Sequence, residues 1–292
     1  MGSLKCFKEP INLKLLDREP FKFNHQLLGH PALSLESLAK IIPELSSEKV
    51  MYSKGLNDLS VNFDDALNEE NKEKNFSEVI DSIRTTNSYI ALRNLENHKA
   101  FKDLYKDLMV DVSGLLMSNG TGTSPLEPML WIFIASPNAV TPFHFDRTSN
   151  FLMQIRGSKE VAIFPPRIEE IISAKNTEAY LDWSGGLPPW KQELDVHANK
   201  FQFNSGEAIH IPYVSGHYVK NGAEDISISL SFLFHSEETL RWSNAMKLNN
   251  RLRRLGLNPS PIGFSPRVDS FKASMFPAVS RAFSAAGKIR GK

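Results

Sequence analysis

The stretch from Thr141 to Pro166, TPFHFDRTSNFLMQIRGSKEVAIFPP, decides how this 292-residue chain is interpreted. Three runs rich in β-branched and aromatic residues follow one another in it. Asn, Gly and Pro separate these runs, which is typical of successive antiparallel strands. The run just before it, PMLWIFIAS at residues 128–136, has the same character. This part of the chain therefore predicts a β-rich core.

A second group of strand-like runs follows an intervening loop. These runs are KFQF at 200–203, EAIHIP at 207–212, HYVKN at 217–221 and DISISLSFLF at 225–234. Two groups of short strands joined by an insertion predict a mainly β fold, a sandwich or barrel, with helices at both ends. The predicted regions are 1–120, mixed helix and strand packing on the core; 121–238, the β core; and 239–292, a basic helical segment.

Apolar spacing predicts helices on both sides of this core. LESLAKIIPELS at 35–46 can be capped by Ser34 or Ser37, and residues 101–116 carry an apolar stripe at intervals of three and four. A third helix is expected at 239–255, ended by Gly256. We expect Pro277 to interrupt any helix in the last segment, because proline lacks the backbone N–H that a helix needs.

Composition limits the chemistry and the location. With 41% hydrophobic and 23% charged residues, the chain is neither disordered, collagen-like nor a coiled coil. It has one cysteine, Cys6, so a thiolate metal cluster within one chain is excluded and any metal must use His and carboxylate. The first residues lack the apolar run of a secretory signal. We therefore expect a cytoplasmic protein.

Charge is unevenly distributed along the chain. Residues 239–292 contain eleven Lys and Arg but one acidic residue, Asp269, so this segment carries +10 and the remainder −9. A basic segment beside apolar residues suits peripheral contact with an anionic membrane, a dimer contact, or a solvated tail. The sequence leaves these three open, and we expect no specific nucleic-acid binding.

Three residues combine metal-binding chemistry with strand placement. His144 and Asp146 in TPFHFD are two apart, so in a strand their side chains face the same side; His217 in HIPYVSGHYVKNG supplies a second imidazole. Two histidines and one carboxylate form the facial triad of non-haem Fe(II) oxygenases. Mn and Zn suit the same ligands, so the triad alone leaves the metal open.

The alternative interpretation is structural. A His-x-Asp pair also arises by chance, and a histidine in a β-rich core is more often a hydrogen-bonded packing residue than a ligand. His210, in EAIHIP, is predicted to be such a structural residue. Tyr180, Trp183 and Trp190 lie in the insertion, where they either cover a substrate or pack internally.

The residues around the triad resemble the two motifs of the cupin superfamily, whose double-stranded β-helix, or jelly roll, holds one metal. The first motif continues from the His-x-Asp pair and is matched at Asn150 and Gly157. The second motif surrounds the other histidine and is matched at Gly206, Pro212 and Asn221. This chain carries Asp146 and has Asn150 where ordinary cupins place a Glu ligand. That pattern is similar to the JmjC branch of Fe(II)- and 2-oxoglutarate-dependent hydroxylases.

The likeness to the JmjC branch covers roughly residues 128–235 and extends to the asparaginyl hydroxylase that inhibits hypoxia-inducible factor. In that family a Thr three residues before the first ligand and a Lys fifteen residues after it bind the distal carboxylate of 2-oxoglutarate. Those positions here are Thr141 and Lys159. The same alignment places Asn150 and Ser231 in the cosubstrate pocket, although Ser231 replaces an Asn.

The resemblance implies an oxygenase that uses Fe(II), 2-oxoglutarate and O₂ and hydroxylates a C–H bond, releasing succinate and CO₂. The acceptor it implies is a protein side chain or a small molecule such as a lipid-linked sugar, and it implies a homodimer through the C-terminal segment. The rival interpretation is a non-enzymatic cupin that binds a metal and a ligand or partner.

Overall fold

Antiparallel pairing organises the chain into two sheets. The structure, a computed structural model, describes residues 4–54, 58–66, 76–187 and 189–290. Within these ranges the strands are β1 Phe7–Lys8, β2 Phe21–His25, β3 Val50–Lys54, β4 Ser88–Leu92, β5 Leu126–Ala135, β6 Val140–Phe145, β7 Ser149–Arg156, β8 Ser158–Ile163, β9 Asn199–Asn204, β10 Glu207–Ile211, β11 Gly216–Asn221 and β12 Ser227–His235.

Helices flank the sheets on both sides in sequence. The α-helices of the described ranges are α1 Leu35–Ile41, α2 Phe63–Ala66, α3 Phe76–Ser82, α4 Lys102–Asn119, α5 Ala174–Leu181, α6 Glu237–Arg254 and α7 Pro266–Arg290. Short 3₁₀ helices lie at Leu13–Leu15, Pro31–Leu33, Ile42–Glu44, Ser47–Lys49, Lys99–Phe101 and Gln192–His197. The helices predicted at 35–46, 101–116 and 239–255 are confirmed, with boundaries a few residues from those expected.

The strand order is that of a double-stranded β-helix. β10, β7, β12 and β5 are neighbours in the larger sheet, and β6, β11, β8 and β9 form the smaller one. Each pair is antiparallel, and apolar side chains of both sheets meet between them; this inner layer comprises Leu152, Val161, Ile163, Phe203, Ile209, Ile211 and Val219. The predicted mainly β jelly roll with helical flanks is confirmed.

The N-terminal third extends the larger sheet at both edges. β2 pairs with β10 on one side, and β4 pairs with β5 on the other, with β1 and β3 outermost. This region therefore continues the hydrogen-bonded ladder of the core. The outer face of the sheet is covered by α4, whose buried positions are Leu104, Leu108, Val112, Leu115 and Leu116. Each buried leucine contributes about 1.5–3 kcal/mol to stability.

Two glycines of the cupin-like motif positions are required by backbone geometry. Gly157 joins β7 to β8 with φ +74°, and a Cβ there would lie 2.5 Å from the Ile226 carbonyl oxygen. Gly206, with φ +91°, turns the chain from β9 into β10. L-residues with side chains rarely adopt this region, so both turns favour glycine. The tight turns fix the register of the strands that carry the site.

The basic C-terminal segment is partly used in internal ion pairs. Arg253 binds Glu178 at 2.6 Å and Arg251 binds Asp182 at 3.0 Å, which fastens α6 to α5 and the loop after it. All four side chains are less than one-fifth exposed. These two arginines are therefore occupied within the fold. No helix of the described ranges is both long and apolar enough to span a bilayer.

The expectation that Pro277 interrupts the last helix is wrong. α7 runs from Pro266 to Arg290 with Pro277 inside it. Proline removes one backbone hydrogen bond, and the packing of Ala273 into a cluster with Ala245 and Met246 of α6 holds the helix in place. The side chains of residues 282–290, at the end of this helix, lie outside the described part of the structure.

Candidate metal centre and adjoining cavity

Strand pairing brings the predicted triad together. His144 on β6 and His217 on β11 are direct cross-strand partners, and their rings lie 4.2 Å apart between centroids. Asp146 follows the end of β6, two residues after His144, and therefore returns to the same side. One ligand atom from each of the three residues lies within 4.8 Å of the others. The structure thus assembles the cluster that the sequence predicts.

Backbone carbonyls fix the tautomers of both histidines. Nδ1 of His144 lies 2.8 Å from the Pro142 carbonyl oxygen, and Nδ1 of His217 lies 3.0 Å from that of Ser215. A carbonyl oxygen only accepts, so each Nδ1 carries the proton and each Nε2 keeps its lone pair. Burial, followed by the neighbouring His217, lowers the pKa of His144 well below its usual value. Neutral imidazole is the form that binds metal.

The carboxylate is oriented by a neighbouring amide. Nδ2 of Asn150 donates to Oδ2 of Asp146 at 3.1 Å, and this same oxygen lies 4.0 Å from Nε2 of His217. Phe63 of α2 packs against the His144 ring at 4.5 Å between centroids. Such contacts hold ligands in place before a metal arrives. Two imidazole nitrogens and a carboxylate oxygen suit Fe(II), Mn(II) or Zn(II), and three protein ligands leave positions for other molecules.

A cavity between the two sheets begins at the triad and extends into the jelly roll. Its space, counted to the open mouth, is about 460 Å³. Besides the triad it is lined by Phe63, Tyr89, Trp131, Phe133, Thr141, Asn150, Leu152, Lys159, Ile211, Val219, Ser231 and Leu233. All four predicted cosubstrate residues, Thr141, Lys159, Asn150 and Ser231, therefore line the same cavity as the triad.

Lys159 is a buried cation. Its side chain is 3% exposed, and its ammonium group has neither an ion pair nor a hydrogen bond among the residues that the structure describes. Burial alone lowers its pKa to about 7. Burying an unpaired charge is unfavourable, so this lysine marks a site suited to an anion.

Other polar atoms of the cavity wall also lack partners. Oδ1 of Asn150 and Oγ of Ser231 are buried and have no hydrogen-bond partner within the described ranges. The Thr141 hydroxyl interacts with that of Tyr89, whose pKa is raised by burial. Unsatisfied buried groups are uncommon in folded proteins and are often explained by a ligand or ordered water. The cavity thus offers one cation and several hydrogen-bonding groups to an anionic ligand.

The sequence prediction missed part of the cavity wall. Phe63 and Tyr89 come from the N-terminal region, and Trp131 and Phe133 from β5. The signal was present in β5, where Trp131 and Phe133 alternate with core residues and therefore face one side of the sheet. Phe63 and Tyr89 gave no such signal, because their segments are not contiguous with the motif.

The three aromatic residues of the insertion divide between the two alternatives left open by the sequence, which are internal packing and covering a substrate. Tyr180 is buried on Phe145, and the partly buried Trp190 packs against Phe143, so both pack internally. Trp183 is 78% exposed and lines a second groove that shares Phe63, Trp131, His144, Asp146 and Leu233 with the cavity. This groove is the approach to the triad from the surface.

His210 occupies a structural position. It is fully buried; its Nε2 accepts a hydrogen bond from the Asp17 backbone N–H at 2.9 Å, and its Nδ1 lies 3.3 Å from the Asn150 carbonyl oxygen. Both ring nitrogens are therefore occupied by backbone groups. The prediction that His210 is a packing residue agrees with this geometry.

Comparison with known proteins identifies a family that the chain matches and proteins that it resembles. The cupin-like domain family matches residues 30–239. JmjC domain-containing protein F of Dictyostelium discoideum is 24% identical over 180 residues, which cover 52% of this chain and 38% of that protein. The solved structure of Escherichia coli ycfD has a TM-score of 0.51 at 13% identity, and the match covers 89% of this chain and 62% of that one.

A second solved structure is that of YcfD from Escherichia coli, which is described as a ribosomal oxygenase in complex with cobalt and 2-oxoglutarate. It has a TM-score of 0.47 at 12% identity, and the match covers 86% of this chain and 57% of that one. The chain spans less than two thirds of the length of each of these relatives, and at such identities the structural likeness shows the fold. The specific likeness to the hypoxia-inducible-factor hydroxylase stays a prediction. Because the family match spans well over half of the chain, the protein belongs to the cupin-like family.

Proposed function

We propose that this chain is an Fe(II)- and 2-oxoglutarate-dependent oxygenase that hydroxylates a C–H bond of a protein side chain. The ligands are His144, Asp146 and His217, and the cosubstrate residues are Thr141, Lys159, Asn150 and Ser231. A lipid-linked sugar remains the other acceptor that the sequence leaves open. The homodimer and membrane contacts of residues 239–292, the three-region division and a cytoplasmic location stay predictions.

The observation that carries this proposal is the unpaired ammonium of Lys159 in the cavity that contains the triad. A metal-only module has no need of a second, buried cation, whose desolvation destabilises the fold. A ligand with a carboxylate at one end and metal-binding oxygens at the other occupies both features at once. 2-Oxoglutarate is such a ligand, and the Thr141 hydroxyl adds a donor beside the lysine.

The chain's own residues orient the metal ligands and exclude water. When bound, ferrous iron would supply the oxidising chemistry in which 2-oxoglutarate, O₂ and the C–H substrate are converted to succinate, CO₂ and the alcohol. The carbonyls of Pro142 and Ser215 keep the imidazole Nε2 atoms directed at the metal position, and Asn150 does the same for Asp146. Phe63, Trp131 and Phe133 surround the position with apolar surface, which restricts water.

Succinate formation tests the proposal. The full chain is incubated in air with Fe(II) and 2-oxoglutarate, and succinate is measured with each component omitted in turn. We expect slow formation that requires both components, even without an acceptor. Lys159→Met should remove it, whereas Lys220→Met, which deletes an exposed lysine on β11, should leave it unchanged.

The two outcomes separate the enzyme from its rival. Succinate that depends on iron, 2-oxoglutarate and Lys159 supports the oxygenase. Absence of succinate from folded, iron-loaded protein contradicts it and leaves a metal-binding cupin without catalytic activity.

A further inference from the structure

The groove leading to the triad has an unusual combination of walls. Counted to its open mouth it measures about 1110 Å³. It is lined by Met51, Phe63, Arg93, Met129, Trp131, His144, Phe145, Asp146, Arg147, Thr148, Tyr180, Trp183 and Leu233. Aromatic and methionine side chains form most of this wall, and two arginines provide its positive charge.

Arg147 is held rigidly within this groove. Its guanidinium carbon lies 3.7 Å from the centre of the Tyr180 ring and 3.6 Å from that of Trp183, so the planar group is clamped between two aromatic faces. Its Nε donates to the Tyr180 carbonyl oxygen at 3.2 Å. The stacked, pre-ordered guanidinium keeps its remaining N–H donors at the Nη atoms, and little side-chain entropy is lost when it binds an anion.

Within the described ranges the positive charge of Arg147 is left without a neutralising carboxylate. Among the residues that the structure describes, no carboxylate forms an ion pair with it. The nearby Asp182 is already bound by Arg251 and Asn250. Asp146 is the acidic residue in the groove lining, and as a metal ligand it has its charge compensated by the metal. Arg147 therefore contributes a positive charge to the groove.

We propose that Arg147 is a specificity-determining residue that binds the carboxylate of an Asp or Glu in an acidic peptide acceptor. This inference rests on the proposed function, because it names the acceptor of the same site. Guanidinium and carboxylate match in shape and form paired, charge-assisted hydrogen bonds. The structure thus assigns the acceptor an acidic residue beside the side chain that is hydroxylated.

The apolar walls favour a peptide as the occupant. Met51, Met129 and Leu233 give an adaptable apolar surface, and Trp131 and Trp183 add broad aromatic faces. A peptide in which apolar and acidic side chains alternate would contact both the apolar side chains and Arg147 of the groove.

The position of Arg147 sets the register of such a peptide. It follows the metal ligand Asp146 directly, and adjacent Cα atoms are about 3.8 Å apart. Its side chain lines the same groove as His144 and Asp146, so a carboxylate bound to Arg147 lies in the groove that leads to the metal position. The residue presented to the metal should therefore be near the acidic residue in the acceptor sequence.

Matched peptides test the inference. Three fluorescein-labelled decapeptides share a Gly-Ser frame with one Leu and differ at the neighbouring position, which is Glu, Gln or Lys. Dissociation constants are measured by fluorescence anisotropy with the full chain, both metal-free and loaded anaerobically with Fe(II) and 2-oxoglutarate. We expect the Glu peptide to bind about tenfold more tightly than the Gln peptide, and the Lys peptide to bind most weakly.

Variants assign the effect to one side chain. Arg147→Gln should abolish the difference between the Glu and Gln peptides, and Arg147→Lys should retain part of it. Arg241→Gln removes the same charge from α6, away from the groove, and should leave the difference intact. Circular dichroism of each variant reports whether it is folded.

Equal binding of the Glu and Gln peptides to the wild-type chain would overturn the inference. A preference for the Glu peptide that survives in Arg147→Gln would do the same. So would retention on vesicles of anionic phospholipid that depends on Arg147 without any peptide preference. Each is independent of the proposed chemistry. Loss of iron- and 2-oxoglutarate-dependent succinate would contradict the oxygenase, whereas loss of the Glu preference alone would contradict this acceptor class.

Discussion

Two buried histidine–carboxylate pairs in this jelly roll have similar composition and opposite arrangement. His210 Nε2 lies 3.7 Å from Oδ1 of Asp17, and His217 Nε2 lies 4.0 Å from Oδ2 of Asp146. At His210 the backbone N–H of Asp17 occupies Nε2. At His217 a backbone carbonyl occupies Nδ1, and Nε2 remains directed at a cavity.

The comparison shows how to distinguish a packing histidine from a ligand. In the first pair every hydrogen-bonding atom of the imidazole is satisfied by the fold, so the group stabilises the core. In the second, the fold satisfies one nitrogen and thereby presents the other, which is the arrangement of metal-ligating histidines. Burial and proximity to a carboxylate are common to both, so neither is sufficient evidence of function.

The largest effect should come from a triad ligand. His217→Ala removes one of three ligands, so we expect the affinity for Mn(II) or Co(II) to fall by at least ~100-fold, beyond the range typical of losing an outer-shell partner. Isothermal titration calorimetry on wild type and variant measures it. His210→Ala serves as the comparison and should bind metal as the wild type does. Equal loss in both variants would mean that the two pairs are not distinct.

The next effect concerns Lys159. Because Lys159→Met removes the buried cation, we expect the affinity for 2-oxoglutarate to fall about 10–100-fold, the range for a charge-assisted hydrogen bond. Metal affinity should stay unchanged, since the lysine is not a ligand. Calorimetric titration of metal-loaded protein measures both. Unaltered 2-oxoglutarate binding would contradict the assigned role of Lys159.

His210 should matter for stability instead. His210→Ala leaves a cavity and an unpaired Asp17 N–H in the core, so we expect the free energy of unfolding to fall by about 2–4 kcal/mol. His197→Ala, at an exposed position, is the control and should have no measurable effect. Urea denaturation followed by tryptophan fluorescence measures both. A larger loss for His197 than for His210 would refute the structural assignment.

The smallest effect is a pH dependence. The pKa of Lys159 is about 7 in the free fold and 2-oxoglutarate requires the charged form. The affinity should therefore be steady below about pH 6, weaken about twofold by pH 7, and weaken about fivefold more between pH 7 and 8. Titrations at several pH values measure it, with Lys159→Met expected to be flat. An affinity that rises with pH would contradict the sign.

The same group has the opposite effect on the ligand-free fold. The unfolded lysine titrates near its usual value, so between pH 7 and about 10 the unfolded chain binds more protons than the folded one, and stability rises with pH. Below pH 7 the full cost of the buried charge is present. Denaturation of wild type and Lys159→Met across this window isolates the contribution of this residue.

The sequence contained enough to predict the jelly roll and the triad. Period-2 alternation placed His144 and Asp146 on one side of a strand, and the spacing of motif glycines marked the turns that now appear at Gly157 and Gly206. These are local features, which a pattern along the chain records directly. The family resemblance extended them to Lys159 and Thr141, and the structure places both in the same cavity.

The remainder depends on contacts between distant segments. Phe63 reaches His144 across 81 positions, and Trp183 reaches Arg147 across 36, so no local pattern indicates either contact. The expectation at Pro277 failed for a related reason. Helix propensity was outweighed by the packing of α7 on α6, which lies outside any local window.

The proposed oxygenase site is tested most directly by anaerobic titration of the Fe(II)-loaded chain with 2-oxoglutarate, followed by visible absorption. We expect a charge-transfer band that grows to a stoichiometry of one, disappears in His144→Ala and needs higher 2-oxoglutarate concentrations in Lys159→Met. A chain that binds one iron yet develops no band with 2-oxoglutarate would contradict the proposed oxygenase site.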